Sequence, residues 1–408
     1  MTTGAQLKNK HTLPLSFFAV MFLYHFSSGF AHPVTPTLVV DRGLPSQWYG
    51  YAMSAVSVGC FVIAPFWGKL CNYISTKKIA IIGMVGYAVG QFIMMNAYSG
   101  IQLLIGRVFA GLLSMGPTVA MINYIINVGS ERERPRYLTI YATSGSVSNA
   151  AGYFAGGLLG IKGIEVPFIV QMGVLAVASV LAFFVLEDDT PYKHRPDRGI
   201  NIKEVNPFSA FLDAKNYMTP ILALFFAAFL LYNLGMSLFE TVFNYYIKDH
   251  FGLGSQYNGT IKAVIAVSSL TMNFTVGMWV VKKTDIHRSY FVLTVITAAV
   301  VGCALLFFES MLPLFAAFIL YSILSIMVRP LGQNICAEHA TEENSNSLMG
   351  FFQAMSSFSH IIGSFSEARL YLISIRLPFY CAFAVMLISV FTSLVYVARH
   401  SREKAARG

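Results

Sequence analysis

Gly43-Leu44-Pro45-Ser46-Gln47-Trp48-Tyr49-Gly50 occupies a polar gap between two long apolar runs. The same frame returns 209 residues later as Gly252-Leu253-Gly254-Ser255-Gln256-Tyr257-Asn258-Gly259, with five of its eight positions identical and apolar runs again on both sides. Gly152-Tyr153-Phe154-Ala155-Gly156-Gly157 has a counterpart in Gly363-Ser364-Phe365-Ser366-Glu367-Ala368 at an offset of 211, and Pro117 one in Pro330 at an offset of 213. Three anchors at nearly one spacing divide the chain into two copies of one unit. The predicted organisation is a first bundle over residues 1–186, a linker over 187–215 and a second bundle over 216–408.

Composition assigns the class. The 408 residues are 56% hydrophobic and 12% charged, with mean hydropathy +0.61. A soluble domain carries about 25% charged residues. The apolar residues come in blocks of about twenty, long enough to cross a bilayer as helices, and helices satisfy their own backbone polar groups there. Spans are predicted at 13–40, 48–70, 78–97, 100–123, 137–160, 164–186, 216–247, 255–281, 289–308, 311–335, 346–371 and 376–398. The expected fold is an all-α membrane protein, with twelve transmembrane helices in two pseudo-symmetric six-helix bundles. Parallel repeats of this kind build transporters with their site between the halves. The 28 or so apolar residues of the first span exceed a signal-peptide core, and no cleavable signal is expected. Pro33 and Pro36 predict that its outer half is bent.

The net charge of +9 is an orientation signal. With the N-terminus inside, 20 of the 28 Lys and Arg fall on inner segments, among them Lys69, Lys77, Lys78, Arg132, Arg134, Arg136 and Arg288. Only Arg42, Lys162, Lys248, Arg369 and Arg376 fall outside. That asymmetry follows the positive-inside rule and places both termini in the cytoplasm of a cell membrane; no nucleic-acid partner is implied. Five scattered cysteines show no metal or disulfide spacing. There is no phosphate-binding glycine loop with lysine, no His-Glu-x-x-His and no paired-cysteine motif. The sequence therefore points to neither an enzyme nor an ATP-driven pump, and to no cofactor or metal.

Four segments carry a family resemblance. Gly68-Lys69-Leu70-Cys71-Asn72-Tyr73-Ile74-Ser75-Thr76-Lys77-Lys78 resembles the loop between helices two and three of the major facilitator superfamily, with Asn72 and Ser75 where the family has Asp and Gly. Gly29 to Pro36 resembles the helix-one motif of its twelve-helix drug:proton antiporter branch. Leu104-Ile105-Gly106-Arg107-Val108-Phe109-Ala110-Gly111 is similar to the helix-four motif, which implies a part for Arg107 in proton coupling. The Gly152, Gly156 and Gly157 segment resembles the antiporter signature of helix five, with Tyr153 in place of Pro. The resemblance implies alternating access, a functional monomer and, with the bacterial character of the branch, a bacterial cytoplasmic membrane. Ser144, Ser148, Gly152, Gly156 and Gly160 recur every four residues on one helix face, so close helix packing is expected there.

Ionisable residues inside a span cost about 2.5–3.5 kcal/mol on insertion scales and need a reason. Five are expected there: Arg107, Glu240, Lys262, Arg329 and Glu367. Glu240 and Lys262 fall at similar depths on consecutive antiparallel spans, roughly 11–12 Å from the outer surface at 1.5 Å per residue. They read either as a structural ion pair or as a pair that Glu240 leaves on taking a proton. Glu240 is the favoured proton-coupling carboxylate, and Arg107 and His32 are the further candidates for that role. His32 and His25 read either as titratable groups or as hydrogen-bonded core residues. Arg329, Lys262, His25, Tyr24 and Phe239 are the candidate solute contacts. Glu367 is expected at the rim, pairing with Arg369 or Lys162. The expected function is proton-coupled efflux of small lipophilic or amphiphilic solutes. The alternative is symport or uniport of an anionic or zwitterionic metabolite, which the intramembrane charge sum of +1 permits.

Overall fold

A computed structural model describes residues 12–130, 132–190, 206–272, 275, 284–339 and 345–407. Most of the linker, Glu131 of the loop after the fourth span, and the basic residues at 8, 10, 193–203, 282 and 283 lie outside them. The first span is broken, as its prolines predict, into α1 (Leu15–Ser28) and α2 (Thr35–Asp41). There follow α3 (Gln47–Leu70), α4 (Thr76–Met95), α5 (Gly100–Val128), α6 (Arg134–Leu159) and α7 (Glu165–Val185). The apolar stretch in the linker forms the short α8 (Ser209–Asp213). The second repeat gives α9 (Pro220–Asp249), α10 (Ser255–Met272), α11 (Ile286–Leu306), α12 (Met311–Glu338), α13 (Ser345–Ile373) and α14 (Leu377–Arg407).

Among the described residues, eight helices are long and apolar enough to cross a membrane on hydropathy alone. The other spans are the broken α1–α2 pair, α10, and the serine- and glycine-rich α6 and α13, whose polar content lowers their hydropathy. Among the described residues each of the twelve predicted spans thus corresponds to a helical segment, the eighth as far as Met272. Large apolar side chains such as Phe184, Leu306 and Phe391 stand exposed on the helix surfaces, as lipid-facing residues do and soluble surfaces seldom do.

The repeat is visible in the backbone. Gly43 and Gly252 both have positive φ, 64° and 66°, a region where a Cβ is unfavourable. Each ends a helix: Gly43 N–H donates to Val40 O and Gly252 N–H to Lys248 O, and the following leucine N–H reaches back to Val39 O or Ile247 O. This is the helix stop that glycine favours. The packing pairs repeat as well. α1 packs on α6 and α7, α4 on α5 and α7; correspondingly, α9 packs on α13 and α14, and α11 on α12 and α14.

Helix starts follow their caps. Ser99 and Gln102 form a capping box at α5, Ser99 Oγ accepting from Gln102 N–H and Gln102 Oε1 from Ser99 N–H at 3.1 Å. Thr219 caps α9 with Pro220 in its first turn. Asp285 Oδ1 accepts from His287 and Arg288 N–H at α11.

The chain divides into two compact units: Met1–Trp48 with Ala55–Pro207 and Gly254–Ala263, and Tyr49–Ser54 with Phe208–Leu253 and Val264–Gly408. The first has a core around Phe17, Met84, Tyr124 and Leu175, with Phe17 stacked on Tyr124 at 5.3 Å. The second is built on aromatic contacts, including Phe229 on Phe352 at 4.2 Å and Phe243 on Phe318 at 3.6 Å.

Candidate functional site

In the first unit, Arg107 on α5 is 1% exposed, and its Nη2 donates to Thr35 Oγ1 of α2. Thr35 in turn donates to Ala31 O at 2.7 Å. Tyr87 lies within electrostatic reach of the guanidinium. The prolines that interrupt the first span therefore create the short helix that brings Thr35 to Arg107. Gln91 on α4 and Gln171 on α7, both fully buried, bring their side-chain amides to the Tyr87 hydroxyl. Neither glutamine stood out in the sequence; a primary amide in the middle of an apolar run was the available signal.

Tyr153 gathers two predicted site residues. The His32 ring stacks on it at 5.3 Å and 8°, and Lys262 Nζ sits 5.9 Å from its ring centre. The residue that replaces the family proline thus contacts both a histidine and a cation. Tyr24 is buried, its hydroxyl donating to Ser114 O at 2.5 Å with Thr118 Oγ1 at 3.1 Å. His25 meets Tyr141 edge-on at 5.2 Å, and its Nε2 is buried without a partner.

The small-residue face of α6 is a backbone contact. A Cβ on Gly152 would lie 1.9 Å from Phe26 O, one on Gly156 2.3 Å from Phe30 O, and one on Gly29 2.3 Å from Asn149 O. Asn149 Nδ2 donates to Ser28 Oγ at 2.8 Å across the same seam. Gly157 approaches Ser255 and Gly259 less tightly, a Cβ there meeting Ser255 O at 2.8 Å.

The loop after α3 has a carboxylate partner that sequence reasoning missed. Asp189, fully buried past the end of α7, accepts from Thr76 N–H at 2.8 Å and Asn127 Nδ2 at 2.7 Å. It ties the start of α4 to α5. Asn72 is exposed, Gly68 has open space around it, and Lys77 Nζ lies 4.9 Å from the Phe183 ring centre. Neighbouring Asp188 is exposed; donation from the Thr190 hydroxyl and then from its backbone N–H holds its carboxyl below the usual range. Asp189→Ala is expected to cost about 2–3 kcal/mol, the loss of two hydrogen bonds to a buried charge, and Asp188→Ala very little. Thermal unfolding of the two variants checks this, and equal shifts would remove Asp189 from its role.

In the second unit, Glu240 on α9 is half-buried and within electrostatic reach of Tyr321 on α12. Tyr321 donates to Met236 O at 3.3 Å. Phe239 is fully buried against Phe318, Tyr321 and Phe379, so here it serves the core. Arg329 is exposed and donates to Gln353 Oε1 at 2.6 Å. Glu240 belongs to the second unit and Lys262 to the first. Glu367, expected at the rim with Arg369 or Lys162, is instead 1% exposed, with Oε2 unpartnered. Helical register explains the difference: three residues after Ser364 and four before Tyr371, Glu367 falls on the face of α13 that packs on α9.

A cavity of about 900 Å³ opens at the start of α11, lined by His287, Glu338, His339 and His400. His287 Nε2 contacts Glu338 Oε2 at 2.9 Å and its Nδ1 the Tyr396 hydroxyl at 2.6 Å, while His400 stacks on it at 3.7 Å. These residues are scattered over 113 positions, and no spacing announced them. Among the described residues no group of histidine, cysteine or carboxylate side chains is arranged to hold a metal ion.

Comparison with known proteins agrees with this architecture. The family model described as Major Facilitator Superfamily matches residues 17–364 and 284–408. Multidrug resistance protein 2 of Bacillus subtilis (strain 168) is 22% identical over 264 residues, 65% of this chain and 64% of that protein. Multidrug resistance protein 1 of the same organism is 20% identical over 93% of this chain and 94% of its own length. Quinolone resistance protein NorA of Staphylococcus aureus (strain MSSA476) is 24% identical over 56% of this chain and 57% of its own length. The matches to the first and third of these therefore span less than two thirds of the relative. Among solved structures, a bacterial homologue of the iron transporter ferroportin, inward-facing, aligns with a TM-score of 0.74 at 12% identity, covering 94% of this chain and 98% of that one. The nucleoside transporter NupG aligns at 0.73 and 14%, with the same coverage. At these identities the structures speak to the fold, while the family model spans nearly the whole chain: it belongs to the Major Facilitator Superfamily and is a membrane transporter rather than an enzyme.

Proposed function

We propose that this transporter is a proton-coupled exporter of small lipophilic or amphiphilic solutes, working by alternating access between bundles 1–186 and 216–408. The observation that carries the reading is the match to a multidrug resistance protein along 93% of the chain. The glycine face of α6 supports it, since it lies where the antiporter branch has its signature and touches α1 backbone to backbone. Both termini are cytoplasmic in this reading, which the distribution of Lys and Arg supports, and the working unit is a monomer in a bacterial cytoplasmic membrane.

In the cycle, Glu240 takes a proton from the outer side and gives it up inside, and each transfer changes the charge that the second unit carries. A charge in a low-dielectric span is costly, so the two protonation states favour different conformations, and a solute that binds one state better is moved by the gradient. Arg107, held by Thr35, keeps a fixed positive charge in the first unit. Lys262 and His32, both on Tyr153, form a polar contact for the solute together with Tyr24 and His25. Arg329 is the corresponding contact in the second unit. Export is tested in cells lacking their own efflux pumps, loaded with a panel of fluorescent lipophilic solutes. Expression should lower retention of at least one solute, and an uncoupler should restore it. Extrusion that survives the uncoupler contradicts proton coupling. The competing reading, symport or uniport of a polar metabolite, draws on the Lys262, His32 and Tyr153 cluster; uptake of an anionic solute with no extrusion of the panel would favour it.

A further inference from the structure

Glu367 is a buried carboxylate that the cycle above does not use. The internal repeat shows why it is out of place. Gly259 packs against Gly157 in the first unit, a Cβ on Gly259 lying 3.0 Å from Gly157 Cα. The repeat-related contact in the second unit is made by Gly50, where a Cβ would meet Glu367 Oε2 at 2.3 Å and Ala368 Cβ at 2.9 Å. Gly156 and Gly157 of the first copy thus correspond to Glu367 and Ala368 of the second. Close packing asks for a small residue at this position, and the chain supplies a carboxylate. Burying one without a cation or full hydrogen bonding is expensive, and an ionisable group within a span is functional by default.

The surroundings form a polar stripe along the seam of α9 and α13. At one end, which the charge asymmetry assigns to the outside, Tyr371 OH donates to Asp249 Oδ2 at 2.7 Å. The Tyr371 ring meets Tyr245 edge-on at 5.2 Å, and Tyr49 stacks on Tyr245 at 5.3 Å. One turn further in stands Glu367. Beyond it Ser364 Oγ lies 3.3 Å from Thr241 Oγ1 and 3.4 Å from Ser237 Oγ, and Ser237 donates to His360 O at 3.2 Å. Ser237, Thr241, Tyr245 and Asp249 repeat every four residues on α9; His360, Ser364, Glu367 and Tyr371 hold one face of α13. The charged neighbour on α13, Arg369, points elsewhere, its guanidinium 5.7 Å from the Tyr51 ring centre. Glu240 is on α9, one residue before Thr241.

We propose that Glu367 is a second proton-binding site, reached from the Asp249 end along the polar stripe between α9 and α13. One proton adds to a carboxylate oxygen of Glu367, cancels one negative charge and leaves a neutral acid in the seam; its release restores the carboxylate. The hydroxyls of Ser364, Thr241 and Ser237, beyond Glu367, are donors and acceptors in one and continue the stripe inward. With Glu240, the second unit then carries two protons per cycle. This count rests on the proton-coupled reading, whereas proton binding at Glu367 does not.

The test compares wild type, Glu367→Gln and Tyr371→Phe. In purified protein, infrared difference spectra between acid and alkaline pH should show a buried carboxylic-acid band in the wild type that is missing from Glu367→Gln. Tyr371→Phe should keep that band and slow its hydrogen–deuterium exchange; this variant decides the matter if Glu367→Gln does not fold. In proteoliposomes, the protons moved per solute should fall from two to one in Glu367→Gln. An unchanged infrared difference and unchanged stoichiometry in Glu367→Gln would overturn the proposal. So would a band that responds to sodium and not to pH, since Glu367 would then be a cation ligand. Wild-type transport indifferent to a proton gradient would instead overturn the coupling mechanism, leaving the infrared result to judge Glu367 alone.

Discussion

Glu240→Gln abolishes gradient-driven accumulation of solute and leaves solute exchange across the membrane running. Glutamine preserves the size and much of the hydrogen bonding of glutamate, so α9 keeps its contacts and Phe239 stays seated against Phe318, Tyr321 and Phe379. What is lost is a group that can change charge. Without it both directions of the cycle cost the same, and the proton gradient has no hold on the conformational equilibrium, because a ligand shifts an equilibrium only through its differential affinity for the two states. Counterflow in proteoliposomes with no imposed gradient measures exchange; accumulation under an imposed gradient measures coupling. A variant that still accumulates solute uphill removes Glu240 from the mechanism.

Gly152→Ala produces the largest loss of folded protein. The added methyl would sit 1.9 Å from Phe26 O and 2.9 Å from the Phe26 carbonyl carbon. Both are backbone atoms that no side-chain rotation can move aside. α1 and α6 must separate, and the Asn149 to Ser28 hydrogen bond goes with the contact. Overpacking of a close-packed interior costs about 1–3 kcal/mol, and this contact belongs at the upper end. Gly173→Ala on α7 is the control: its Cβ meets nothing within 4 Å, and alanine in a helix gains about 0.5–1 kcal/mol over glycine. Thermal unfolding in detergent should drop by several degrees for the first and hold or rise for the second. Equal behaviour would mean that the α1–α6 seam is looser than its backbone distances indicate.

Much of this fold was legible because its signals are local. Gly43 and Gly252 could be paired from the repeat, and both adopt the same left-handed stop. Pro33 and Pro36 announced the break between α1 and α2, and the four-residue spacing of Gly152 and Gly156 announced a close approach. α6 and α13 fall short on hydropathy, yet each has a span's length and place in the repeat. The candidate site was less legible because it depends on which faces meet. Arg107 was singled out by its charge, but not its bond to Thr35, 72 positions away. Tyr153 shows in the sequence only as a departure from a motif, and the structure brings both His32 and Lys262 to it. Asp189 looked like one of three acidic residues after a span, and only the packing of α4 on α7 shows what it holds. Distance from the end of its span puts Glu367 at the rim, whereas its register on α13 turns it inward.

Inside-out membrane vesicles containing the protein, acidified in their lumen and offered a labelled lipophilic solute outside, test the exporter reading most directly. The expected result is solute accumulation above equilibrium that collapses on adding an uncoupler. Accumulation that appears only in right-side-out vesicles, or that persists after the proton gradient is dissipated, would contradict it.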